Sequence, residues 1–159
     1  MNLGTLISES RNPATMELDK LSTLEMLTCF NDEDRKVPEA IRLVLPAIVQ
    51  AVDLAAESLK QGGRLIYLGA GTSGRLGILD AVECPPTYSV PASQVVALIA
   101  GGQGAVYKAV EGAEDNPQLA VDDLKQINLS PNDILVGIAR AAHNGARVVQ
   151  HSNQPTVGQ

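Results

Sequence analysis

The hydrophobic pattern of this chain changes its period near residue 63. Before that point Ile41, Val44, Leu45, Ile48, Val49 and Val52 recur three or four apart, the spacing of one helical face. This predicts a helix from Val37 to Lys60, closed by Gly62 and Gly63. Pro46 lies well inside it, where a missing N–H predicts a kink. Residues 12–35 also read as helical. Ser22 and Glu25 form a capping-box pair, which places a helix start near residue 23, and the polar run 31–34 separates the two helices.

From Arg64 onward the apolar runs are short: 64–69, 95–100 and 133–139. Helix-length segments lie between them, after Ser73, over 104–111 and over 117–126, the last with Leu119, Val121 and Leu124 as its apolar positions. Alternation of this kind predicts βαβ units and a doubly wound, parallel α/β sheet flanked by helices. The helix after Ser73 is expected to stop near Val82, ahead of Pro85 and Pro86, leaving Glu83 on a loop. After Ala139 the pattern breaks. Residues 140–159 hold Arg140, His143, Arg147 and His151 but none of the 18 acids. A third parallel strand with no further neighbour leaves its outer edge open. The chain thus divides into an N-terminal helical segment (1–62), a partial α/β domain (63–139) and a tail (140–159).

Composition narrows the class. With 159 residues and 45% apolar content the chain can build one core. A single Phe and three Tyr leave that core to Leu, Ile, Val and Ala. The net charge of −6, without a Lys/Arg cluster, excludes nucleic acid and anionic membrane surfaces as partners. No apolar run is long enough to span a bilayer and the start of the chain lacks a signal-like apolar region, so a cytoplasmic location is expected. Cys29 and Cys84 are too isolated for a disulfide framework or a metal site. His143 and His151, eight apart in the tail, do not form a metal pair either.

Candidate chemistry concentrates in residues 68–88, LGAGTSGRLGILDAVECPPTY. The glycines let the backbone bend tightly, so that N–H groups of Gly71, Thr72, Ser73 and Gly74 can face an anion at a helix N-terminus. Thr72 and Ser73 add hydroxyls. Gly69, Gly71 and Gly74 also match the dinucleotide fingerprint, but that reading needs a ribose-binding acid at the end of the second strand. That strand ends Ile99-Ala100-Gly101-Gly102. A small phosphorylated ligand is therefore expected. Glu83, pinned by the prolines after it, and Glu114, in the acidic stretch 110–115, are the candidate acid/base pair. Glu111 and Asp115 compete with Glu114, and spacing alone does not choose among them. A helix from Ser73 to Val82 would carry Glu83 about 15 Å from the glycine loop at roughly 1.5 Å per residue. Either that helix is shorter, or Glu83 serves the loop of a second subunit in a homodimer.

The words LGAGTSGRLGILDAVECPPT, LIAGG and AVEGAEDN, with STLEML and NDED upstream, resemble the N-acetylmuramic acid 6-phosphate etherase family over residues 3–139. The resemblance implies a sugar-isomerase-type parallel-sheet domain in a cytoplasmic homodimer of cell-wall recycling. It implies a phosphorylated amino sugar as substrate, with the D-lactyl ether cleaved to N-acetylglucosamine 6-phosphate and D-lactate without a cofactor. The family's two catalytic glutamates fall on Glu83, as acid, and Glu114, as base. In that family the third strand leads into a second serine-bearing loop that helps hold the phosphate. Here residues 137–147 read GIARAAHNGAR, so the resemblance implies a truncated form, with a frameshift or a truncated reading frame as its expected origin. Weak or absent turnover and association through the open sheet edge are the expected consequences. The alternative is a non-catalytic sugar-phosphate-binding regulator, as in the glucokinase regulatory protein, which shares this domain type.

Overall fold

The computed structural model describes residues 11–139 and the backbone of Arg147–Gln150. The chain forms two compact units, one up to Val49 and one from Gln50 onward. In the first, two single 3-10 turns, Pro13–Thr15 and Leu18–Lys20, lead into α1 (Thr23–Asp34) and the start of α2 (Lys36–Lys60). The predicted capping box is present: the Ser22 hydroxyl accepts from the Glu25 N–H at 3.4 Å, and the Glu25 carboxylate accepts from the Ser22 N–H at 2.8 Å. Two orphan donors of the first turn are satisfied in this way. Pro46 lies inside α2 without ending it. Leu43, Val44 and Leu45 are exposed.

The second unit is a mixed sheet. Its strands are β1 (Leu65–Gly69), β2 (Val95–Ile99), β3 (Ile134–Ile138) and β4 (Arg147–Gln150), in the order β2-β1-β3-β4. β1 pairs in parallel with both β2 and β3: Leu65 lies opposite Val95 and Ile134, and Gly69 opposite Ile99 and Ile138. The three parallel strands agree with the predicted apolar runs to within a residue or two. The open third edge does not survive. β4 pairs antiparallel with β3, Ile134 opposite Gln150 and Gly137 opposite Arg147, so part of the 140–159 tail returns to close that edge. A strand of reversed direction needs no crossover helix, which is why the βαβ pattern gave no sign of it.

Three helices connect the strands: α3 (Gly71–Tyr88), α4 (Gly104–Tyr107) and α5 (Pro117–Gln126). α5 has the predicted extent. α4 is one turn long, against the expected 104–111, because Lys108 is already extended and Gly112 takes a positive φ of 74°. The core is small and aliphatic, centred on fully buried Ile66 and Ile134.

The amino ends of β1 and β3 are tied by an ion pair. Asp133, 2% exposed, accepts from the Arg64 N–H at 2.8 Å, from Arg64 Nε at 3.0 Å and Nη2 at 2.6 Å, and from the Ser130 N–H at 2.8 Å. The same guanidinium donates to the carbonyls of Ile127 and Asn128 at 3.0 and 3.1 Å. Burial acts to raise the Asp133 pKa, but the bonds from Arg64 and Ser130 outweigh it and hold it at about 2. Ser58, buried on α2, donates to the Asn132 carbonyl at 2.5 Å. No buried side-chain nitrogen or oxygen among the described residues is left without a partner.

Candidate functional site

The carboxyl ends of the strands are built differently. β1 leads through α3 to β2 on one side, and the chain returns through α5 to β3 on the other. Side chains of a strand alternate between faces. Tyr67 meets α3 at Gly77, whereas Leu68 lines a cavity with Pro117 and Ala120 of α5. The two helices therefore cover opposite faces, and a crevice opens where the strand order reverses, the usual ligand position in open α/β sheets.

The glycine loop sits at that crevice. Gly71 has a φ of +53°, which an L side chain tolerates poorly. A Cβ on Gly69 would come within 2.9 Å of Gly74 Cα, and one on Gly74 within 2.8 Å of the Gly69 carbonyl oxygen. The loop is thus folded against itself. Gly74 is buried and its N–H donates to the Ala70 carbonyl at 3.2 Å, so it shapes the turn rather than facing the crevice. No side chain caps the first turn of α3. Gly71, Thr72 and Ser73 face a cavity of ≈ 790 Å³ whose other walls include Glu114, Asp115, Ile138 and Ala139.

Glu114 lies in a 3-10 turn, Ala113–Asp115, positioned by buried Ala113 and by the Gly112 bend. It is exposed, and it lines this cavity and two adjoining ones. Of its competitors, Asp115 faces only this cavity and Glu111 only a smaller one beside Arg75. Arg75 does not point a free cation at the loop. Its guanidinium donates to the carbonyls of Val106 and Ala105, both at 2.8 Å, and so fastens α3 to the end of α4.

Glu83 is not on a loop. α3 runs on through Pro85 and Pro86 to Tyr88, where Ser89 takes a left-handed φ of 56° and donates to the Pro85 carbonyl at 2.9 Å. The fixed φ of proline suits a helix. Its costs are a lost bond and crowding of the preceding turn, and here they fall near the end of the helix, where Pro85 lines a shallow apolar hollow with Val95 and Ala97 of β2. Glu83 is therefore about 15 Å from Ser73 along the helix at roughly 1.5 Å per residue, and it lines none of the three cavities around Glu114. The alternative of a shorter helix is excluded. Glu83 is exposed beside Leu76, Leu79 and Val82, which are 56–62% exposed. On the inner face of α3, Tyr67 donates to Asp80 at 2.8 Å. Burial and the Asp80 carboxylate push the tyrosine's pKa well up, and the same two causes raise that of Cys84. No cluster of metal-ligating side chains occurs, and no helix is long and apolar enough to cross a membrane, among the described residues.

Residues 47–150 match the family model described as the glucokinase regulatory protein N-terminal SIS domain, and the chain belongs to that sugar-isomerase-domain family. Its similar proteins include the N-acetylmuramic acid 6-phosphate etherases of Yersinia pestis (strain Pestoides F) and Yersinia pseudotuberculosis serotype O:3 (strain YPIII). Each is 73% identical over 139 residues, which is 87% of this chain and 47% of the relative. The chain thus spans about half the length of the curated relatives it matches. The resemblance carried by the glycine-loop and CPPT words is shown at this level of identity.

Proposed function

We propose that the chain is the phosphosugar-binding half of an N-acetylmuramic acid 6-phosphate etherase, a carbon–oxygen lyase acting in the cytoplasm as a homodimer. The observation that carries this reading is the single cavity in which Gly71, Thr72 and Ser73 face Glu114. The N–H groups of the first α3 turn and the two hydroxyls hold the 6-phosphate. Glu114, across the cavity, takes the C2 proton of the opened sugar. The C2–H electron pair forms the C2–C3 double bond, the C3–O bond breaks, and the departing lactate receives a proton from Glu83. Water then adds at C3 and a proton returns to C2, giving N-acetylglucosamine 6-phosphate.

Glu83 reaches that point from a second copy. Its distance from its own loop and the exposed Leu76, Leu79 and Val82 around it support an α3 face that packs against a partner.

The test is D-lactate release from N-acetylmuramic acid 6-phosphate by the purified chain, by Glu83→Gln, by Glu114→Gln and by an equal mixture of the two. Either substitution should lower the rate by about 10²–10⁴-fold, the range for loss of a general acid or base. The mixture should recover about a quarter of the wild-type rate, because each mixed two-fold dimer keeps one intact site. No recovery would remove the shared site. The family model's own description favours a second reading, a sugar-phosphate-binding regulator. That reading gains if the chain binds N-acetylglucosamine 6-phosphate and releases no lactate.

A further inference from the structure

Behind Glu114 lies a second chamber that the phosphate cradle does not use. It occupies ≈ 380 Å³ between the sheet and α5, and it shares Ala70, Glu114, Ile138 and Ala139 with the cradle cavity. Its walls are mostly apolar, with Leu68, Ala113, Pro117 and Ala120 on the α5 side. The polar lining is Glu114, Asn116 and Asp123, with no Lys or Arg among the described residues. Asn116 Oδ1 accepts from the Gln118 N–H at 3.1 Å as the α5 cap, which leaves its Nδ2 as a donor without a protein acceptor among the described residues.

We infer that this chamber is the subsite for the N-acetyl group of the amino sugar, with Ala120 setting the acyl length it accepts. The inference rests on the phosphosugar reading above and deepens it. With the 6-phosphate on Gly71–Ser73 and C2 at Glu114, the C2 substituent is the group next to the chamber mouth. An acetamide suits the walls: its methyl meets Leu68 and Ala120, and its carbonyl accepts from Asn116 Nδ2. The lactyl group does not suit them, since its carboxylate would sit beside the Glu114 and Asp123 carboxylates.

Binding of N-acetylglucosamine 6-phosphate, glucose 6-phosphate and inorganic phosphate to the full chain tests this, because both sugars lack lactate and neither carries charge at C2. The N-acetyl sugar should bind at least roughly tenfold more tightly than glucose 6-phosphate, as expected for a fitted pocket that also donates a hydrogen bond. Ala120→Leu, which fills the chamber, should abolish that difference and leave glucose 6-phosphate binding unchanged. Equal affinities in the wild-type chain overturn the subsite and leave the phosphosugar reading standing, whether or not the variant folds. A preference that persists in Ala120→Leu overturns it too. Failure of both sugar phosphates to bind removes the phosphosugar reading and the subsite with it.

Discussion

The two ends of one sheet have opposite chemistry. At the amino ends of β1 and β3, Asp133 accepts four bonds, Arg64 spends its guanidinium on one carboxylate and two carbonyls, and Ser58 fills the remaining carbonyl. At the carboxyl ends, the first turn of α3 is uncapped, Glu114 is exposed, and the walls between them enclose open space. A polar group that has all its partners can stabilise but has nothing left to offer a ligand. The amino end holds the strands together so that the carboxyl end can keep its donors free.

Substitutions at either end can break this contrast. The largest effect is expected from Asp133→Ala, which leaves Arg64 partly buried without its counter-ion; about 3–5 kcal/mol of stability should be lost. Urea unfolding measures it, and binding of inorganic phosphate below the transition should be unchanged. If phosphate binding falls in step with stability, the two ends are not separate. Gly74→Ala is the reciprocal case. Its Cβ would meet Ile99 Cγ1 at 2.7 Å and the Gly69 carbonyl oxygen at 2.8 Å, an overpacking that costs about 1–3 kcal/mol. Because the Gly69 carbonyl belongs to the turn that carries the loop, phosphate binding should be lost while the chain remains folded at neutral pH.

The smallest of the three effects concerns acid. Asp133 has a folded-state pKa of about 2 against an ordinary value of 3.8. A depressed pKa contributes stability above the unfolded value and loses it as pH falls through the folded one. The wild-type chain should therefore lose about 2 kcal/mol between roughly pH 4 and pH 2 from this group, at about 1.4 kcal/mol per unit. Asp133→Asn should remove that part of the pH dependence. An unchanged acid limb would show that the amino-end pair is not what fails first.

Much of the fold was legible because it is local. The capping box at Ser22, the stop at Gly62, the three apolar runs and α5 each follow from residues within a few positions of one another, and the structure has them all. Proline misled for the opposite reason. Pro85 and Pro86 predict a helix end from local sterics, yet α3 continues to Tyr88, with Pro85 set against an apolar hollow at β2. The chemistry was legible as a set of candidates. Thr72, Ser73, Glu83 and Glu114 stand out by type and neighbourhood, and the resemblance to the etherases singles out the two glutamates.

Sequence alone determined the three parallel strands, most of the helices, the glycine loop and the family, because periodicity and short motifs are properties of neighbouring residues. Only the tertiary structure decided what lies together. It put Glu114 across one cavity from Ser73, carried Glu83 away along an unbroken helix, paired the 147–150 backbone with β3, and joined Arg64 to Asp133 across 69 positions. Those relations are set by strand order and helix length, which bring distant segments within a few ångströms and leave no trace in any window of sequence.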